Sequence, residues 1–371
     1  MNKEFNKVVI FGTFDIVHPG HLSVLKYAKS LAKELYVVVA RDQNIKKDTE
    51  LIFKEEERLE TLSSYEIIDK VILGDLNNPL AFYDQIKPDL IVLGYDQYQN
   101  IDLLKQLKNI SIKKAPPYYE GLFKAQKIKN ILTDQNAGFY LINKEKGCAS
   151  FRNISILRKV LNLKKVGFAG TLDPMASGLL IMASGKATKF LDAFHSLNKI
   201  YEAQIKFGKT SNTFDAEGVI KTKKITKKPS REQIQKLLEK KFTGTILQTP
   251  PIFSAKKING QKAYNLARKN KKVKLKPVKI TINKIKILNY EYPYLDLKIN
   301  CSKGTYIRSI ANDLGKKLKT GGMLVKLKRT NIGPFDLKSS LQQNSITFEK
   351  LAKNKLNILD IVQEINNHSL K

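Results

Sequence analysis

Tryptophan is absent from the 371 residues, cysteine occurs twice and histidine four times. No apolar run reaches the roughly 18 residues that a membrane-crossing helix needs. Cys148 and Cys301 stand alone, without the paired Cys or Cys/His spacing of a zinc site or a disulfide framework, so neither is expected. The opening Met1-Asn-Lys-Glu4 lacks the apolar core of a secretory signal, and the chain reads as cytoplasmic. Four histidines also leave little material for metal chemistry, and no metal is assigned.

Acidic residues are scarce in one part of the chain only. Residues 1–136 hold 19 Lys and Arg against 19 Asp and Glu, whereas residues 137–371 hold 47 against 15, so the formal excess of +32 lies wholly in the second part. An AT-rich genome would spread lysine over both parts. A polyanionic partner for residues 137–371 explains the asymmetry better, and without a basic amphipathic helix nucleic acid is preferred to a membrane surface.

The first part alternates strand-like runs (Val8–Phe11, Leu35–Ala40, Lys70–Leu73, Leu90–Leu93) with helical patterns (His21–Lys33, Lys54–Ser63). That rhythm predicts an α/β, Rossmann-like, doubly wound parallel sheet, with its ligand site beyond the carboxyl ends of the strands. The rhythm is lost between Gln126 and Asn136 and a new strand begins at Gly138. The boundary is therefore placed to give domains 1–134 and 137–371. The second mixes helices (Ile154–Leu161, Arg231–Lys241, Tyr264–Lys269) with strands (Tyr201–Phe207, Val278–Ile287, Tyr294–Cys301), an α+β pattern with a mixed, largely antiparallel sheet.

Four stretches of the second part carry chemistry. Lys165-Val-Gly-Phe-Ala-Gly-Thr-Leu-Asp-Pro-Met-Ala-Ser-Gly-Leu-Leu180 sets one carboxylate, Asp173, in a loop among Gly167, Gly170 and Gly178, whose backbones are expected to flex as a nucleotide approaches. Alone, Gly170–Pro174 reads as an Asx turn. It is followed by Lys199-Ile-Tyr-Glu-Ala203 with Gly208–Gly218, by Thr249-Pro-Pro-Ile-Phe-Ser-Ala-Lys-Lys257, and by Cys301-Ser-Lys-Gly-Thr-Tyr-Ile-Arg-Ser-Ile310. In that order, and closed by Gly321–Phe335, these stretches resemble the tRNA pseudouridine synthase B family.

The resemblance implies that Asp173 acts on the ribose of a flipped uridine in the T-arm of tRNA, without cofactor or metal. Tyr201 would stack on the uracil, Tyr306 would pack beside Asp173, and Asp215 would assist near the site. Lys256 and Lys257 would contact phosphates. Arg308 would pair with Asp173 and keep it ionised by lowering its pKa. The sequence departs from the family at Phe168, where a histidine is usual, and at Ala169, where a small hydroxyl residue is; Phe168 is expected to offer apolar packing or stacking to the RNA. The 36 residues after Phe335 are too few for the PUA domain of many relatives.

Ile10-Phe-Gly-Thr-Phe-Asp-Ile-Val-His-Pro-Gly-His21 joins a strand to a helix and resembles the HxGH signature of the cytidylyltransferase-like nucleotidyltransferases, including archaeal FAD synthases. The resemblance implies CTP or ATP with Mg²⁺, held by Gly12, Phe14, His18, His21, Lys46, Lys47 and Asp96. Imidazoles at a helix N-terminus suit a phosphate. Later, Glu120–Lys127 has Ala125 and Gln126 where relatives place hydroxyl groups, which implies weakened, altered or lost transfer. Isomerisation of the T-loop uridine is the leading reading. The alternatives are nucleotidyl transfer to FMN or a polyol phosphate as the main activity, and a non-catalytic RNA-binding or tRNA-folding module.

Overall fold

The computed structural model describes residues 3–45, 50–95, 97, 104, 107, 110–118, 123–254, 257–258, 261–262 and 275–370. The chain divides into two compact units, 1–133 with 358–371, and 134–357.

In the first unit, β1 (Phe5–Gly12), α1 (Pro19–Leu31), β2 (Ala32–Val39), α2 (Glu55–Ser63), β3 (Lys70–Leu73), α3 (Ala81–Ile86), β4 (Leu90–Leu93), β5 (Ser111–Lys114) and α4 (Ala125–Leu132) follow in order. The strands form one parallel sheet ordered β3-β2-β1-β4-β5, as the alternating rhythm predicts. The run Val8-Val-Ile10 is continuous because both faces are covered. Val8 and Ile10 join the core of Leu22 and Leu25, while Val9 points into that of Phe82 and Ile86. The strand order reverses between β1 and β4, so the loop after β1, which carries the HxGH element, lies at the switch point.

Two expectations are corrected here. The stretch from Gln126, read as a break in rhythm, lies within α4, whose Ile128 and Ile131 are buried among lysines that mask the pattern. The second domain does not extend to residue 371, because helix Ile358–Leu370 groups with the first unit. Its Ile358, Ile361, Val362 and Ile365 recur at helical spacing and are all buried, each burial worth about 1.5–3 kcal/mol. Asn366 Nδ2 then donates to Val17 O at 2.9 Å, beside the HxGH turn.

The second unit is built on a ten-stranded sheet. Its path is Gly244–Gln248, Val278–Glu291, Tyr294–Cys301, Lys199–Phe207, Gly322–Ile332, Ser177–Ser184, Gly138–Lys144 and Leu341–Gln342, with Val166–Ala169 paired to Ser177–Ser184 and Phe335–Asp336 to Gly322–Ile332. Most pairings are antiparallel; Gly322–Ile332 with Ser177–Ser184 is parallel. The expected α+β layout is therefore present. Helices Arg231–Lys241 and Ile307–Lys317 contribute Ile234, Leu238, Ile310 and Leu314 to the core beneath the sheet. The helix expected over Tyr264–Lys269 lies outside the described residues.

Candidate active site

Asp173 sits in the loop joining the antiparallel strands Val166–Ala169 and Ser177–Ser184. The loop is held from both sides of this residue. Ser150 Oγ accepts from Leu172 N and donates to Leu172 O, both at 3.0 Å, while Gly147 N donates to Pro174 O at 2.8 Å. Beneath it, the fully buried Lys144 donates from Nζ to Ala176 O at 2.5 Å and to Glu145 O at 2.9 Å. Burial draws the Lys144 ammonium below its ordinary pKa, opposed by acidic groups that include Asp173.

Arg308 lies in the first turn of Ile307–Lys317, a turn whose residues are all buried. Its guanidinium grips Asp173 with two parallel contacts, Nε to Oδ2 at 2.8 Å and Nη2 to Oδ1 at 3.1 Å. The remaining donors reach Thr213 O and Phe253 O, each at 3.1 Å, and Asp215 Oδ2 at 3.4 Å. Asp215 is itself fixed by Thr213 Oγ1 at 2.5 Å and Glu217 N at 3.0 Å. The three groups expected from motifs far apart in the chain thus form one charged cluster. Arg308 and Asp215 are closed off, their side chains 6% and 3% exposed, whereas that of Asp173 is 36% exposed and is the member open to a ligand.

The expectation that Arg308 lowers the Asp173 pKa is corrected in its net sign. Burial pushes the carboxyl up, Asp215 adds to the rise, and the guanidinium opposes both without reversing them. The cost of desolvation scales with the buried ion itself, so one cation shared between two carboxylates compensates it only in part.

Tyr201 pairs in register with Arg329 across adjacent strands and packs against the core beside the cluster. Burial raises its phenol pKa, while the Arg329 guanidinium and a hydrogen bond to it act against the rise. Arg329 was given no role by the sequence reading. It is buried, donates from Nε to Leu179 O at 2.8 Å and from Nη2 to Gly170 O at 2.9 Å, and so ties Tyr201 to both ends of the Asp173 loop. The available signal was register, since Leu327 and Arg329 alternate onto the buried face of one strand. Lys144 carried no comparable signal, because a lysine closing an apolar strand is ordinary. Tyr306 caps the Arg308 helix, its backbone clamped by Gln248 through bonds of 2.8 and 3.1 Å.

The glycines serve close packing, where backbone freedom was expected. A Cβ on Gly178 (φ +111°) would stand 2.3 Å from Arg329 O. One on Gly167 would stand 2.9 Å from the Leu191 side chain. Phe168 is partly buried on its strand, its ring meeting that of Phe151 at 5.2 Å. Lys257 lies in a short hairpin strand, and Lys256 lies outside the described residues.

In the first unit, Pro19 starts α1, and His18 and His21 form a reciprocal cap there. His18 Nδ1 accepts from His21 N and His21 Nδ1 from His18 N, both at 3.4 Å, with the rings stacked 3.8 Å apart. This arrangement leaves each ring proton on Nε2. Burial, and then His21, hold the His18 pKa well below its ordinary value, so that imidazole is neutral at pH 7. Phe14, at φ +53° and buried, packs edge-on against His21, and its ring fills the space above Gly12. Asp15 is closed by Lys129 Nζ at 2.6 Å and the Ile52 and Phe53 amides at 2.9–3.2 Å. Lys46, Lys47 and Asp96 lie outside the described residues.

Residues 158–307 match the TruB family pseudouridylate synthase (N terminal domain), and residues 9–137 match the cytidylyltransferase-like family. The tRNA pseudouridine synthase B of Clostridium kluyveri is 43% identical over 217 residues, covering 58% of this chain and 74% of that protein. Its counterpart in Protochlamydia amoebophila is 47% identical over 206 residues, covering 55% and 77%. Among solved structures, a Cbf5-Nop10-Gar1 complex aligns at 24% identity with a TM-score of 0.46, over 62% of this chain and 59% of that one. The chain therefore belongs, through its second unit, to the tRNA pseudouridine synthase B family, and it carries a cytidylyltransferase-like domain ahead of it.

Proposed function

We propose that the second unit converts the T-loop uridine of tRNA to pseudouridine, with Asp173 acting on the ribose. The observation that carries this reading is the bidentate Arg308–Asp173 pair in which only the carboxylate is open to solvent. The bond from N1 to the ribose carbon breaks, the uracil turns, and a bond from C5 replaces it while the C5 proton is lost and N1 gains one. No atom is added or removed and no electrons are gained or lost, so the reaction calls for no redox or group-donating cofactor. Arg308 would steady the carboxylate, and Tyr201 would stack on the base. Lys256, Lys257 and Phe168 would meet the RNA around it. Incubating the purified full chain with unmodified tRNA and mapping pseudouridine tests the reading; product at another loop, or none, rejects it.

The raised Asp173 pKa sets the acid limb of this activity. Because the ionised carboxylate is the working form, turnover should fall on acidification at a pH above the ordinary Asp value of 3.8. A kcat/KM–pH profile, which reports the groups of the free enzyme, checks this, and a limb at or below that value contradicts it.

A second reading, for the first unit, is favoured by the stacked histidines at the N-terminus of α1. Their Nε2 protons and the positive helix end suit a triphosphate, so CTP or ATP would bind there, with Mg²⁺ arriving on the phosphates. The fit fails at α4, where Lys124 makes no side-chain cap and Ala125 opens the helix in place of a hydroxyl residue. Nucleotide binding is therefore expected to outlast transfer. In the full chain, titration calorimetry should detect CTP or ATP, and any pyrophosphate release with FMN or glycerol phosphate should drop about a hundredfold or more in His21→Ala. Absence of binding to either nucleotide defeats this second reading. The domain that binds would be residues 1–134 completed by helix Ile358–Leu370.

A further inference from the structure

Phe151 is 62% exposed, in the first turn of helix Ser150–Leu161. Among the described residues the other large exposed aromatics are Tyr294 and Phe348, at 38% and 59%. What separates Phe151 from these is its support. Its chain neighbour Ser150 is buried and makes both hydrogen bonds to Leu172, the chain neighbour of Asp173. The ring is backed edge-to-face by Phe168, at 5.2 Å and 78°, and Phe168 is itself packed against the core of Tyr140, Leu157 and Met182. An aromatic pair is thereby tied, through Ser150, to the loop that carries the carboxylate.

We propose that Phe151, backed by Phe168, stacks an unpaired base of the RNA next to the uridine being isomerised. The inference rests on the proposed pseudouridine synthesis. An aromatic face holds any base, and the exposed cations Lys146 and Arg152 lie within five residues of Phe151 along a part of the chain with 47 basic against 15 acidic residues. Charge of that sign suits the backbone on either side of a stacked base better than it suits an apolar protein surface. Turning a uridine out of its loop also unstacks its neighbour, and Phe151 supplies the replacement face.

The test uses the full chain and a T-arm stem-loop RNA whose loop bases are replaced one at a time by abasic sites. Turnover of the intact RNA by the unaltered chain tests the underlying reading separately. Phe151→Ala should weaken binding about tenfold, and Phe151→Trp should restore it. One abasic position other than the target should cost the unaltered chain a similar factor and cost Phe151→Ala nothing further. Strict additivity at every loop position overturns the proposal. So does binding by Phe151→Leu equal to that of the unaltered chain, since leucine keeps the apolar surface without the ring.

Discussion

Asp173→Asn is expected to abolish pseudouridine formation, by at least about a thousandfold in kcat, while RNA binding stays within a few-fold. The amide matches the carboxylate in shape but cannot attack or take a proton. The fold should survive the change. Burial raises the Asp173 pKa in the folded chain, so the native state holds this proton more tightly than the unfolded state does. Its contribution to stability is thus present when the group is protonated and is lost as pH rises through the folded pKa; at neutral pH the ionised group is a cost. The cost is modest because the side chain is 36% exposed. Arg308 is not stranded either, since Thr213 O, Phe253 O and Asp215 remain as partners. Retained turnover in this variant removes Asp173 from the chemistry, whereas a large fall in Tm removes the argument from linkage.

Gly178→Ala is expected to lose on the order of 3–5 kcal/mol of stability, a fall in Tm of roughly 10 °C for the second unit. The new Cβ would lie 2.3 Å from Arg329 O and 2.7 Å from Arg329 N, both backbone atoms of the paired strand, at φ +111°. Neither side can yield without parting the strands that carry Arg329 and the Asp173 loop. Gly244→Ala is the control, with φ +82° and nothing within 4 Å of its Cβ, so it should lose only about 1 kcal/mol. Equal losses in thermal melts of the two variants would show that backbone conformation, and not the close approach of two strands, requires Gly178.

The sequence alone determined the parallel sheet, the mixed sheet and the family, and it set Asp173 beside Arg308, as the structure pairs them. It could do so because hydrophobic periodicity is local and because the motif spacing is preserved along the chain. Helix Ile358–Leu370 shows the limit: the sequence reading assigned no helix there and placed these residues in the second domain, since nothing local to residues 358–370 names a partner hundreds of residues away. Tertiary structure alone assigned Arg329 and Lys144 their tasks, because a buried cation is recognised by the carbonyls that surround it, and those come from strands and loops distant in sequence. It also decided the sign of the Asp173 shift. Sequence counts the charges near a carboxylate, but only the packed structure sets how much water is removed from it, and here that loss outweighs the arginine.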